Sequence, residues 1–227
     1  MISHRSFVIL LLSTATLCWI SPAMSVSPPG EECSEQTLIF IRHAEKSAEG
    51  FGQINCQGLN RSLALPSVIK EKFGKPDVIF APNPTRKKAD LGNYYYYLRP
   101  LATIEPTAIH FNMPINTRFG QSETEWFIHR LSSERYANAK ILISWAHREI
   151  INIARTLMTT FNGDLSQIPH WENDDFDSIY ILKITRGDGA PKITFTHDHQ
   201  GLNELSTSCP EPASHPTSEL LPEQNLR

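Results

Sequence analysis

The sequence has no excess of positive charge, no internal repeat and no apolar run long enough to cross a bilayer comfortably. Its 21 lysines and arginines stand against 24 aspartates and glutamates, a formal net charge of -3. Nucleic-acid binders normally carry a basic excess on one face, so this class is not indicated. The longest apolar run, at residues 7–20, is shorter than a membrane helix needs. The chain has 227 residues, of which 40% are hydrophobic, and this is enough to form one sizeable buried core.

The first 25 residues are predicted to be an export signal. His4 and Arg5 precede the apolar run, and the small residues Ala23 and Ser25 follow it, with cleavage expected after Ser25. A retained membrane anchor is the alternative, which the shortness of the run disfavours. The sequence thus predicts a periplasmic or extracellular protein with no stable membrane insertion after cleavage.

Cysteine is scarce: the chain has 4, and Cys18 would leave with the signal. In an oxidising compartment two of the other three are expected to pair. Cys209 follows the last regular element, so a bridge to Cys56 or to Cys33 would attach the C-terminal segment to the domain. We favour Cys56 with Cys209, because Cys56 lies in the loop after the first strand and Cys33 lies in a mobile leader.

Strands and helices alternate between a leader at residues 26–36 and a proline-rich tail at residues 206–227, both expected to be flexible. Apolar runs predict strands at 37–41, 77–80, 141–143, 178–185 and 192–196, the last two forming a hairpin. Helical spacing predicts helices at 59–73, 101–110, 122–131 and 150–161, with Pro66 expected to kink or restart the first. The pattern predicts one domain at residues 37–205, a three-layer α/β/α sandwich with a mostly parallel, mixed central sheet.

Two of the predicted strands end at a histidine. Arg42 and His43 follow the strand at 37–41, and His147 follows the strand at 141–143 after a short turn. Ligands of α/β folds bind beyond the carboxyl ends of the strands, so the two histidines can meet there if their strands are neighbours. An imidazole beside a permanent cation is suited to attack the phosphorus of a phosphate that the cation holds.

Three ordered motifs resemble those of the histidine phosphatase superfamily, which has the phosphoglycerate mutase-like fold. They are Arg42 and His43 at the first strand end, Arg99 with Thr103 four residues later, and a strand that runs into His147. The resemblance covers residues 37 to about 160. It implies a phosphohistidine intermediate on His43, a phosphate pocket formed by Arg42, Arg99 and His147, and no metal or other cofactor.

Two details qualify the resemblance. Arg86 is an alternative to Arg99, but it lacks a threonine at the same spacing. The branch that contains acid phosphatases and phytases fits less well, because an aspartate follows the second histidine there and Arg148 follows it here. The chain therefore resembles an exported member of the other branch, branch 1.

The proton donor for the leaving group is less clearly marked. Relatives usually take it from a carboxylic acid after the helix of the second motif, where this chain has Asn116. Glu123 is the predicted donor, with Glu125 beyond it as an alternative. Glu123 could instead be a helix N-terminal carboxylate near Ser122.

The sequence thus predicts an exported, metal-independent phosphomonoester hydrolase that acts on a phosphorylated small molecule or a phosphoprotein. One alternative is a secreted phosphate-ligand binding protein without turnover, which the missing acid at Asn116 favours. Another is a metal-dependent hydrolase using His197 and His199, with Asp198 nearby. Loops set specificity in such folds, and residues 86–98, an apparent insertion, carry four consecutive tyrosines.

Overall fold

A computed structural model describes residues 33–211 of the chain. The predicted export signal, residues 26–32 of the predicted leader and residues 212–227 of the predicted tail lie outside the described residues. Between residues 33 and 211, no helix is long and apolar enough to cross a membrane.

The chain alternates between strands and helices in its first three quarters and ends in a hairpin. The strands are β1 (Ser34–Arg42), β2 (Lys46–Ser47), β3 (Gly50–Ile54), β4 (Val78–Phe80), β5 (Lys87–Asp90), β6 (Asn93–Tyr96), β7 (Ile115–Asn116), β8 (Lys140–Trp145), β9 (Ser178–Arg186) and β10 (Lys192–His199). The helices are α1 (Cys56–Phe73), α2 (Arg99–Phe111), α3 (Thr124–Leu131) and α4 (His147–Thr160).

Six strands form the central sheet in the order β10-β9-β1-β8-β4-β7. β1, β8, β4 and β7 are mutually parallel, whereas β9 runs antiparallel to both β1 and β10. Two short antiparallel ribbons, β2 with β3 and β5 with β6, lie outside this sheet. The predicted mostly parallel, mixed sheet is confirmed.

Successive residues of β1 are buried on opposite faces of the sheet. Leu38 and Phe40 belong to the core that contains α3 and α4, and Ile39 and Ile41 belong to the core that contains α1 and α2. All four side chains are fully buried. A central strand covered on both faces must be apolar throughout, which explains its unbroken hydrophobic run and the three-layer arrangement.

The structure differs from the sequence predictions in several elements. α1 begins at Cys56, which was predicted to lie in a loop, α4 begins at His147, and the β2–β3 and β5–β6 ribbons were not predicted. β1 begins at Ser34, three residues before the predicted start at 37, so the end of the predicted leader is part of the sheet. Pro66 was predicted to kink or restart this helix, and the restart is wrong, since α1 continues through this residue. Proline removes a backbone donor, but Leu65 and Ile69 on either side are fully buried in the core and hold the helix in place.

The C-terminal segment is attached to α1. A disulfide joins Cys56 and Cys209, which confirms the favoured pairing, and Cys33 is free and exposed. The side-chain amide of Asn60 donates to the carbonyls of Ser206 and Ser208, both at 2.8 Å. The first described residues of the predicted tail are therefore held against the domain.

Candidate active site

A cavity of about 390 Å³ lies at the carboxyl ends of β1 and β8. It brings together four of the predicted site residues, namely Arg42, His43, Arg99 and His147. The rest of its lining consists of Lys46, Lys88, Tyr97, Gln121, Ala146, Arg148, Glu149 and Asn173.

Sheet pairing explains why the two histidines meet. β1 and β8 are parallel neighbours whose last residues, Arg42 and Trp145, are paired. The pairing extends one residue further, because the His43 backbone N–H donates to the Trp145 carbonyl at 2.9 Å. His147 follows Trp145 by two positions as the first residue of α4. Two sites about a hundred residues apart in sequence therefore open onto one crevice.

The His43 ring is held as a neutral imidazole with one nitrogen free. Its Nδ1 lies 2.8 Å from the Ala44 carbonyl oxygen, which can only accept, so Nδ1 carries the hydrogen and Nε2 keeps its lone pair. Burial lowers the pKa of His43 well below its ordinary value of 6.5, and the charges of Arg99 and Arg42 lower it further. The result is a nucleophilic nitrogen at neutral pH.

Arg42 is a buried cation that has no carboxylate partner among the described residues. Its Nη1 donates to the backbone carbonyls of Asp175 and Glu172 at 2.7 and 3.3 Å, and its guanidinium lies 3.9 Å from the centre of the Phe176 ring. Burial lowers the pKa of Arg42 to about 10, so it stays charged at neutral pH. Its Nε atom is buried without a partner in this part of the chain.

Arg99 is connected through Thr103 to Ala44, the residue that follows His43. The Thr103 hydroxyl donates to the Arg99 carbonyl and accepts from the Ala44 backbone N–H, both at 2.8 Å. This bond gives the Arg-Thr spacing of the second motif a physical role, since it fixes the start of α2 against the residue that follows His43. The Arg99 side chain forms an ion pair with Asp90 at 2.5 Å, while its Nε has no partner among residues 33–211.

His147 is half-buried at the start of α4. Its Nε2 lies 3.2 Å from Asn173 Oδ1, and its buried Nδ1 has no hydrogen-bond partner in the described chain. Burial and the charge of Arg42 lower the pKa of His147 to about 4. His147 is therefore neutral at physiological pH and can offer one N–H to a ligand.

Three residues that the sequence offered for the site, Glu123, Glu125 and Arg86, do not line this cavity. The exposed Glu123 accepts the Gly120 backbone N–H at 2.8 Å and precedes α3. Glu123 and Arg86 both line an adjoining cavity of about 230 Å³. Glu125 is exposed in the first turn of α3. Of the two arginines considered for the second motif, the structure thus brings Arg99 next to His43.

Sequence reasoning missed Glu149, Lys88 and Tyr97. Glu149 is the one carboxylate that lines the cavity, and it was detectable in principle as the third residue of a helix that begins at His147. Lys88 and Tyr97 come from the apparent insertion, which forms the β5–β6 hairpin. Of the four tyrosines only Tyr97 is buried, whereas Tyr94 and Tyr96 are exposed.

Of the residues of the metal-site alternative, His197 and Asp198 are engaged elsewhere, while the His199 side chain is exposed. His197 Nε2 lies 2.7 Å from the Ser178 hydroxyl, which itself donates to Asp175, so this nitrogen donates to the hydroxyl. Asp198 forms an ion pair with Lys72. Across residues 33–211, no three histidine, cysteine, aspartate or glutamate side chains are grouped to hold a metal ion.

Comparisons with solved structures find phosphatases of low sequence identity. A candidate phosphohistidine phosphatase SixA from Nakamurella multipartitia is 13% identical, with 73% of this chain and 96% of that one covered at a TM-score of 0.48. A mycobacterial glucosyl-3-phosphoglycerate phosphatase in complex with inorganic phosphate is 9% identical, covering 71% and 95% at 0.48. A phosphoserine phosphatase from Entamoeba histolytica is 12% identical, covering 70% and 95% at 0.43.

No protein-family model matches this sequence, and no curated protein is similar to it. At the identities found among solved structures, the roles of the side chains have to be argued from the geometry of this chain.

Proposed function

We propose that this protein is an exported phosphomonoester hydrolase of the histidine phosphatase type, with His43 as the nucleophile. The observation that carries the proposal is a neutral imidazole whose Nδ1 is held by the Ala44 carbonyl and whose Nε2 is free in a cavity with two buried arginines. A phosphoryl group needs this combination, because its charge must be neutralised while the nucleophile keeps its lone pair.

In the first step, His43 Nε2 forms a bond to phosphorus and the bond from phosphorus to the leaving oxygen breaks. Arg42 and Arg99 bind the nonbridging oxygens and spread their negative charge. The oxygens would compete with Asn173 for the N–H of His147. The products of this step are a phosphohistidine and an oxyanion that needs a proton.

We assign the supply of that proton to Glu149 in place of Glu123. Glu149 lines the cavity, whereas the Glu123 carboxylate is bonded to the Gly120 backbone outside it. In the second step Glu149, now ionised, removes a proton from water, which attacks phosphorus and releases inorganic phosphate and neutral His43. The two steps return the enzyme to its starting protonation state.

Export is supported by two features of the chain. The first residues have the order of charge, apolar run and small residues that marks an export signal. The Cys56–Cys209 disulfide is a bond that persists in oxidising compartments and is rare in reducing ones.

The test is hydrolysis of 4-nitrophenyl phosphate by the mature protein and by His43→Ala. We expect kcat/KM to fall at least about 10³-fold in the variant, because the nucleophile is lost. Circular dichroism should show an unchanged fold, and His110→Ala, which removes an exposed histidine in the last turn of α2, at the opposite end of the helix from Arg99, should keep full activity.

A second measurement separates turnover from binding. Wild-type protein quenched in alkali during hydrolysis of labelled phosphate ester should retain label, and His43→Ala should not. Full activity of His43→Ala would refute the nucleophile. Vanadate binding without hydrolysis of any phosphomonoester in a broad panel would instead favour a binding protein, for which the departure at Asn116 is the main support.

A further inference from the structure

The cavity contains more positive charge than one phosphate group requires. Its lining includes five cations, Arg42, Arg99, Lys46, Lys88 and Arg148, and one carboxylate, Glu149. Arg42 and Arg99 are buried beside His43, whereas Lys46, Lys88 and Arg148 are exposed at the mouth. A phosphomonoester brings at most two negative charges, and Asp90, paired with Arg99, and Glu149 bring one each, so the five cations still exceed the anions by one when the ester is bound.

None of these three outer cations has a carboxylate within ion-pair distance in residues 33–211. Other exposed lysines of this fold do, as Lys72 pairs with Asp198 and Lys183 pairs with Glu35. Like charges held together at the mouth of a cavity create a positive potential that favours an anionic ligand there.

Lys88 is held in place by the way its hairpin packs. Asp90, two residues later on β5, binds both the Arg99 guanidinium and the Gly52 backbone N–H. Gly52 has a φ of +67°, and a Cβ at this position would lie 2.2 Å from the Tyr96 carbonyl oxygen, so the β3 ribbon and the β5–β6 hairpin approach closely. Lys88 Nζ lies 5.0 Å from the centre of the Tyr97 ring.

The Tyr97 hydroxyl is an independent sign of a ligand between the inner and outer cations. Tyr97 lines the cavity and is 3% exposed, and its hydroxyl is buried without a hydrogen-bond partner among the described residues. Burial raises the pKa of Tyr97, so the hydroxyl keeps its proton and can only donate to an anion. A buried donor left unpaired in the protein is expected to be satisfied by what binds there.

We propose that Lys88, Arg148 and Lys46 form a second anion subsite beside the Tyr97 hydroxyl. The substrate class is then a phosphomonoester whose leaving group carries a further carboxylate or phosphate close to the ester. This inference rests on the proposed function for the assignment of the inner subsite to the phosphoryl group that is transferred.

The experiment measures binding of three inert probes by calorimetry, so it does not depend on turnover. Methylphosphonate carries one anionic group, phosphonoacetate adds a carboxylate, and methylenediphosphonate adds a second phosphonate. Wild-type protein should bind at least one of the two larger probes about tenfold or more tighter than methylphosphonate. The probe with the larger gain identifies which second anion the subsite takes.

Lys88→Met removes the charge but keeps the apolar stem over Tyr97, and should abolish that preference while binding methylphosphonate within about twofold of wild type. Lys87→Met is the matched control, because the neighbouring lysine on the same strand contacts Tyr96 and does not line the cavity. Arg148→Met should reduce the preference independently, which covers a failure of the first variant to fold.

Three results would overturn the second subsite. Wild-type protein could bind all three probes with equal affinity, or Lys88→Met could weaken the binding of all three equally. Lys87→Met could also reduce the preference for the larger probe as much as Lys88→Met does. The proposed function fails separately, if 4-nitrophenyl phosphate is not hydrolysed although the preference for the larger probes is measured. Hydrolysis without any preference would leave the phosphatase and remove the subsite.

Discussion

The loop that carries His43 lies between two sets of side chains built around buried arginines: Arg61 with its partners, and Arg42 and Arg99 in the cavity. The two sets differ in how their charges are matched. On one side, Arg61 is 1% exposed and fully engaged. Its Nε and Nη2 donate to the Glu45 carboxylate, at distances down to 2.7 Å, and its Nη1 donates to Asp177 and Gln200. Asp177 also accepts the backbone N–H groups of residues 201 and 202. This group, the Arg61 network, is closed by the protein itself.

On the other side, the cavity group is left open. The Nε atoms of Arg42 and Arg99 and the Tyr97 hydroxyl are buried donors without partners among residues 33–211. A buried charge is stable only when it is paired, so the two groups have different uses. The Arg61 network joins α1 to the loop after β1, to the residue before β9 and to the segment after β10, whereas the cavity group keeps donors available for an anion. Arg61 and Arg42 are the two extremes, since Arg61 pairs with two carboxylates and Arg42 pairs with none among the described residues. Arg99 is intermediate, because Asp90 binds its Nη1 while its Nε has no partner in this part of the chain.

Replacement of Arg42 should have the largest effect and should fall on activity. Arg42→Met removes one charge from the phosphoryl pocket, and we expect kcat/KM to fall about 10³-fold. The free energy of unfolding should stay within about 1 kcal/mol of wild type, because no carboxylate is left unpaired. Activity assays and urea denaturation measure the two quantities, and a large loss of stability would show that Arg42 is structural after all.

Replacement of Arg61 should have the opposite profile. Arg61→Met leaves Glu45 and Asp177 buried without their cation, and should lower the free energy of unfolding by about 3 kcal/mol. At a temperature where the variant remains folded, kcat/KM should fall much less than in Arg42→Met. A stable Arg61→Met protein without activity would contradict the division between the two groups.

The strand ends were the part of the site that the sequence could predict. Arg42, His43 and His147 stand beside apolar runs, and a parallel sheet brings its strand ends to one edge, so local pattern and general topology were enough. Arg99 was predicted because its spacing to Thr103 resembles the second motif, and the structure shows the bond between Thr103 and Ala44 that this spacing allows. The same reasoning gave the three-layer fold from the alternation of strands and helices.

What the sequence did not reveal depends on long-range packing. Lys88 and Tyr97 enter the cavity because the β5–β6 hairpin is bonded to Gly52, a contact between segments about 40 residues apart. Glu123 was chosen as proton donor by its order along the chain, but its carboxylate turns to the local Gly120 N–H. Local hydrogen bonds of this kind compete with a role in a site, and periodicity does not report them.

The carboxylates offer a further test of the comparison, with an intermediate effect. Glu45 forms a buried ion pair with Arg61. Glu149, in contrast, lines the cavity and has no ion pair among the described residues. Glu149→Gln should lower kcat/KM, which reports the first step, about 10²-fold for an alkyl phosphate, whose leaving group needs a proton, and far less for 4-nitrophenyl phosphate. Glu123→Gln is the matched control and should affect neither substrate. A reversed result would restore Glu123 as the donor.

The smallest expected effect is a pH dependence that burial, assisted by the two arginines of the cavity, imposes on His43. Because burial and the two arginines lower its pKa below 6.5, the folded protein holds fewer protons at this ring than the unfolded chain when the pH falls below 6.5. The contribution of His43 to stability is therefore complete above pH 6.5 and is lost as the pH falls toward the folded pKa. Between pH 6.5 and 5.5 this loss amounts to about 1 kcal/mol.

His43→Gln, which keeps a neutral polar side chain, should lack this loss of stability when urea denaturation is compared at pH 6.5 and pH 5.5. NMR titration of the His43 ring nitrogens should give a midpoint well below 6.5, and a midpoint at or above 6.5 would contradict a ring buried beside two cations.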